Sequence, residues 1–180
     1  MRIISGKHRG RRLTAPSKLP VRPTTDMAKE GLFNILNNDY YLPDISVLDL
    51  FSGTGNIAFE FGSRGCKTIT AVDADQGCVK FITETTEKLE LPISTIKSDV
   101  FNYLEKTTTK HHIVFADPPY DLAIEDFEKI PELVFSRELL LEDGLLVVEH
   151  SKHTDLSKLA NFSKQRKYGG SVFSFFEKNS

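Results

Sequence analysis

Tryptophan is absent from this 180-residue chain and cysteine occurs only twice. No apolar run approaches the ~18 residues of a membrane-spanning helix. Cys66 and Cys78 are too few and too far apart for a disulfide framework or a Cys-x-x-Cys motif, so both are expected as free thiols. Neither His-Glu-x-x-His nor a Cys/His cluster occurs, and no metal site is expected; His111-His112 is read as entering a strand and His150 as leaving one. The N-terminus turns polar at Ser5, ahead of any signal-peptide core, which points to a cytoplasmic protein. Repeats and low-complexity linkers are missing too. With 39% hydrophobic residues, one domain with a substantial core and a small extension is expected.

Acidic residues are missing from positions 1–25, which hold seven Arg or Lys. That stretch therefore carries +7 and the rest of the chain −9, behind a net charge of only −2. A basic arm on an acidic body marks a localised polyanion contact rather than a uniformly cationic surface. Ile3-Ile4, the turn-like Ser5-Gly6-Lys7-His8-Arg9-Gly10 and then Leu13 read as a short ordered hairpin.

Beyond the arm, Pro20 and Pro23 punctuate the chain, Thr24-Thr25-Asp26 offers a helix N-cap, and Ala28, Leu32, Ile35 and Leu36 recur at helical spacing around a weakening Gly31. A strand–helix rhythm follows. Strands are expected over Val47–Phe51, Thr68–Asp73, Ile93–Lys97, Ile113–Asp117 and Leu145–Glu149. Helices are expected over Ile57–Ser63, Gly77–Leu89, Val100–Lys106 and Glu125–Ser136. Continuously apolar strands belong to sheets covered on both faces, so the class is α/β with a doubly wound, Rossmann-like sheet. Phe162–Tyr168, Gly169-Gly170 and Val172–Phe176 read as a closing hairpin.

Two segments carry the chemistry. Asp49-Leu50-Phe51-Ser52-Gly53-Thr54-Gly55-Asn56-Ile57-Ala58 holds a loose Gly-x-Gly-x-x-Ala fingerprint, with Asp73 lying 20 residues beyond Gly53. That spacing also suits NAD, and Asp49 also suits a helix cap. A pyrophosphate would face the Asp49 carboxylate, however, and one like-charge pair at 4 Å costs ~4 kcal/mol at an effective dielectric of 20. A cofactor bringing an ammonium group, such as S-adenosylmethionine, turns the same acid into an attraction. Asp99-Val100 after the third strand suits an adenine amine and ring, although Asp99 equally suits an N-cap. Asp49, Asp73, Asp99 and Asp117 together place four acids on the carboxyl rim of the sheet.

The second segment, Asp117-Pro118-Pro119-Tyr120, ends an apolar run. Successive prolines deny Pro118 a helical geometry, leaving its carbonyl and the Asp117 carboxylate to accept from one NH2 group. Tyr120 offers a ring for stacking, worth ~1–3 kcal/mol per base. The arrangement suits an exocyclic amine on a nucleobase.

These two motifs resemble those of class I S-adenosylmethionine-dependent methyltransferases acting on amino nitrogens. Arg2-Ile3-Ile4-Ser5-Gly6, Gly10-Arg11-Arg12-Leu13 and Val21-Arg22-Pro23-Thr24-Thr25-Asp26, before a helix with Glu30, Leu32, Phe33 and Leu36, are similar to the RsmD family over nearly the whole chain. The resemblance implies methylation of guanine N2 in bacterial 16S ribosomal RNA on a partly assembled small subunit. The implied fold is a seven-stranded, mostly parallel sheet with an antiparallel last strand and an N-terminal hairpin and helix, divided into residues 1–40 and 41–180. Implied catalytic residues are Asp117, Pro118 and Tyr120. The S-adenosylmethionine site, releasing S-adenosylhomocysteine, would comprise Asp49, Phe51, Ser52, Gly53, Thr54, Gly55, Asp73, Ala74, Asp99 and Val100. RNA contacts fall to Arg2, Lys7, Arg9, Arg11, Arg12, Arg22 and Thr24. Lys29 stands where the family pattern has Arg, which implies one weaker phosphate contact. A monomer is expected. An adenine-N6 DNA methyltransferase and a catalytically silent RNA-binding assembly factor are the rival readings.

Overall fold

The computed structural model describes residues 1–179. Thr25 caps the first helix, α1 (Asp26–Asp39), its hydroxyl accepting from the Ala28 N–H at 3.2 Å. There follow β1 (Ser46–Leu50), α2 (Asn56–Ser63), β2 (Thr68–Asp73), α3 (Gln76–Leu89), β3 (Ile93–Lys97), α4 (Val100–Lys106), β4 (His111–Ala116), α5 (Ile124–Ser136), β5 (Leu140–Ser151), β6 (Phe162–Tyr168) and β7 (Ser171–Glu177). The expected bounds of β2, β3 and α4 hold to the residue. β1 stops one residue short of expectation because Phe51 takes a positive φ of 54°. β5 is longer than expected, starting at Leu140, which pairs with His111 ahead of a register shift.

The sheet order is β3-β2-β1-β4-β5-β7-β6. All pairings are parallel except those of β7, which runs antiparallel to both β5 and β6. The expected doubly wound sheet with a reversed last strand is thus present. Strand order reverses between β1 and β4, the switch point where open α/β sheets hold ligands beyond the strands' carboxyl ends.

Side chains alternate across the sheet with period two. Val47, Ile69, Ala71, Ile113, Phe115, Leu145 and Val147 pack toward α1, α2 and α3. Leu48, Leu50, Val72, Val114, Ala116, Leu146 and Val148 pack toward α4 and α5. By the same alternation Asp49, Asp73 and Glu149 belong to the first face. Ile3 from the arm and Ala28, Leu32, Phe33 and Leu36 from α1 join that first cluster, so residues on both sides of position 40 share one core.

The arm is docked against α2. Its hairpin is reduced to a bridge between Arg2 and Arg12, because residues 5–10 bend through Gly6 and Gly10 at positive φ. Ile4 and Ser5 donate their N–H groups to the two oxygens of Glu60, at 2.9 and 3.1 Å. At Gly6 a Cβ would fall 1.9 Å from the Ser63 carbonyl oxygen, so this approach requires glycine. Lys29 corrects an expectation: it is fully buried, donating to Asn56 at 2.8 Å and pairing with Glu60 at 3.4 Å, and has no access to a phosphate. Gly31 also acquires a reason, since a Cβ there would meet the Tyr168 ring at 2.3 Å where α1 crosses β6.

Candidate active site

At the switch point lies a pocket of about 840 Å³. Its floor is the loop after β1. Phe51, Gly53 and Gly55 all have positive φ (54°, 55° and 86°), which folds the backbone into a tight turn whose Ser52 and Gly55 N–H groups bond the Val72 and Ser52 carbonyls. A Cβ on Gly55 would sit 2.8 Å from the Phe59 ring. Asp73 braces the loop: one oxygen accepts from Gly53 N at 2.8 Å and the other from Asp75 N at 2.9 Å. Burial pushes the Asp73 carboxyl up, and those N–H bonds partly offset it.

Of the expected cofactor residues, Asp49, Phe51, Ser52, Gly53, Thr54, Asp73, Ala74, Asp99 and Val100 line this pocket, and Gly55 is the N-cap of α2 next to them. Asp99 does cap α4, accepting from Asn102 N at 2.9 Å, yet its place at the rim keeps it on the pocket wall. Asp49 is 1% exposed, and its Oδ2 has no hydrogen-bond partner. Burial first, and the neighbouring Asp73 charge second, push its carboxyl well above the ordinary range. An unpartnered buried carboxylate oxygen is costly, and a cationic or N–H ligand would relieve that cost.

The other wall is Asp117-Pro118-Pro119-Tyr120. Asp117 leaves β4 with its N–H on the Leu50 carbonyl at 3.3 Å. Burial first, and the charge of Glu149 second, raise its carboxyl well above the usual range, against the pull of Arg22. Tyr120 Oη and Ser171 Oγ are 3.2 Å apart, which fixes the ring.

Two of the expected RNA contacts line the pocket. Thr24 is buried rather than surface-facing: its hydroxyl donates to Glu149 Oε2 at 2.7 Å and its carbonyl accepts from Asn56 at 3.0 Å, leaving the cap to Thr25. Arg22 lies over the Tyr120 ring, 3.8 Å from its centroid, on the pocket wall rather than out along the arm. Arg22 is nevertheless exposed, and the other five lie at the surface away from the pocket. Arg2 pairs with Asp26 at 3.1 Å, Lys7 and Arg9 are exposed, and Arg11 and Arg12 line a second cleft of about 270 Å³ beside Phe81 and Lys88 of α3. Among the described residues no cluster of three metal-ligating side chains occurs.

Sequence reasoning gave Glu149 no role. Its signal was there: a lone acid closing an apolar strand, as Asp49 does. Fully buried in β5, it stands beside Asp117.

A family model described as "Conserved hypothetical protein 95" matches residues 1–177. The ribosomal RNA small subunit methyltransferase D of Escherichia coli (strain K12) is 31% identical over 175 residues, covering 96% of this chain and 86% of that one. The solved structure of YhhF from Escherichia coli superposes with a TM-score of 0.83 at 30% identity, covering 98% and 96%. At the level of fold alone, the 16S rRNA N2 G1207 methyltransferase of Thermus thermophilus, solved with AdoMet and guanosine, matches with a TM-score of 0.70 at 19% identity, covering 89% of this chain and 45% of that one.

Proposed function

This chain belongs to the RsmD family, and from that premise we propose that it methylates the exocyclic N2 of a guanine in 16S ribosomal RNA, in the context of the small subunit. The observation that carries the reading is Asp49 Oδ2, buried and unpartnered beside a glycine loop. That acid repels a pyrophosphate and attracts an ammonium, which favours S-adenosylmethionine over a dinucleotide.

S-adenosylmethionine supplies an electrophilic methyl on a sulfonium. Asp49 would hold its ammonium end; Asp73, with each oxygen already on one N–H, keeps lone pairs that would suit ribose hydroxyls; Asp99 and Val100 would receive the adenine. On the substrate side Asp117 and the Pro118 carbonyl accept the two N–H bonds of the amine. The guanine N2 lone pair is delocalised into the ring, and drawing its hydrogens to one side aims that pair at the methyl. Positioning of this kind supplies ~7–11 kcal/mol where reacting groups are well oriented. The base must leave its stack to reach the pocket. On entry it takes the place of the Arg22 guanidinium on Tyr120, and the freed cation turns to the adjoining phosphate. Arg9, Arg11 and Arg12 hold the flanking backbone.

The decisive experiment digests small-subunit RNA from a strain lacking this gene and finds the missing nucleoside by mass spectrometry. Loss of one N2-methylguanosine, restored by the purified protein with S-adenosylmethionine, is the expected result. An unchanged guanosine profile overturns the reading.

A further inference from the structure

Among the described residues two fully buried acids have no work in the mechanism above: Glu60, which is taken up by the arm and Lys29, and Glu149, which stands beside Asp117. The parallel register of β4 and β5 sets Phe115 beside Val147 and Ala116 beside Val148, which brings Glu149 level with Asp117. The alternation of side chains sends both to the α1–α3 face. Glu149 Oε2 takes the Thr24 hydroxyl at 2.7 Å, while Oε1 has no hydrogen-bond partner. Asp117 lies within hydrogen-bonding reach. A carboxyl group can fill the place beside Oε1 only by carrying a proton.

We propose that Asp117 and Glu149 form a pair holding one proton between them, in which Glu149 is a positioning residue that orients Asp117 toward the amine and lets the pair accept the proton the amine loses. This rests on the methylation reading and extends it to the fate of that proton. As the N–CH3 bond forms, the S–CH3 electron pair stays on sulfur and the sulfonium charge disappears. The N–H electron pair stays on nitrogen, and the proton passes to the singly charged pair, leaving it neutral. Sulfonium and pair together thus keep the same net charge throughout, so no uncompensated charge is created in the buried site. The groups facing the pair are Asp49 from β1, Arg22 and Thr24 from the segment before α1, and the hydroxyls of Tyr120 and Ser171. Burial raises both carboxyls and Arg22 lowers both, consistent with one shared proton.

The test is a carbon-13 carboxyl NMR titration of wild type, Glu149→Gln and Asp117→Asn. Asp117 should titrate above the ordinary carboxylate range in wild type and fall by about one pH unit or more in Glu149→Gln, since a like charge is removed. Coupling is reciprocal, so Asp117→Asn should lower Glu149 by a similar amount. This variant changes only a partly exposed group, and it decides the matter should Glu149→Gln not fold. In the methyl-transfer assay the acid limb of the kcat profile should move to lower pH in Glu149→Gln by the same amount. A merely structural Glu149 would scale the profile without moving it. Titrations that stay in place in both variants overturn the pair even where wild type transfers methyl. Shifted titrations in a wild type that transfers none overturn the methylation reading and keep the pair.

Discussion

Asp49 and Glu149 are each no more than 1% exposed, and each leaves a carboxylate oxygen without a donor, whereas Arg9, Arg11 and Arg12 stand in water along the arm. Asp49 lines the pocket and Glu149 stands beside Asp117 of its wall, both on strands paired in fixed register; the cations ride on a segment with a single bridge of sheet pairing. Buried charges are weakly screened and act on one atom of one ligand, so losing one is not compensated by its neighbours. Exposed charges act through a field that salt erodes within a Debye length of about 8 Å at physiological ionic strength, and each stands in for the next. On the proposed function, recognition of the reacting centre and recognition of the polyanion fall to opposite physical regimes.

The sharpest break in this contrast is Asp117→Ala. Turnover should fall by ~10²–10⁴-fold while calorimetry shows cofactor affinity within a few-fold of wild type; near-normal methylation by this variant removes Asp117 from the chemistry. Next, Asp49→Asn should weaken S-adenosylmethionine binding by roughly 10–100-fold, or ~1.4–2.8 kcal/mol. The same change should stabilise the protein without cofactor. Asp49 binds its proton more tightly folded than unfolded, so wild-type stability falls as pH rises from the ordinary carboxylate value toward the raised one, and asparagine abolishes that fall. Thermal melts at several pH values check the sign. A smaller effect follows from changing Arg9, Arg11 and Arg12 together to Ser: RNA affinity should drop and the slope of log K against log salt should flatten by about 0.7–0.9 per lost phosphate contact, with cofactor affinity unchanged. Smallest is Gly6→Ala. It should loosen the arm from α2, speed hydrogen exchange at Ile4, Ser5 and Lys7, and leave the pocket's cofactor affinity intact.

Local chemistry made much of this legible. Apolar runs bounded by Asp, Gly and Pro located β2, β3 and α4 to the residue, and the glycine turn and the Asp-Pro-Pro-Tyr segment announced the pocket because their backbone demands are written in consecutive residues. The seven strands and the reversed last one came from resemblance, and strand order was not legible at all; hydrophobic period says which face is buried and not which strand lies alongside. The contacts that sequence did not show share one cause. Thr24 meets a residue 125 positions away, Lys29 is neutralised by Glu60, and Arg22 finds Tyr120, all across distances that no window of sequence spans. Gly31 read as a flaw until Tyr168 supplied the ring that needs the space.

Residues 19–24 form one wall of the pocket, a stretch stiffened by Pro20 and Pro23 and tied at its end through the Thr24 hydroxyl to Glu149. Because that tie joins the segment before α1 to the far strand β5, losing the Thr24 hydroxyl should slacken this wall while the Gly53–Asp73 bond still braces the glycine turn.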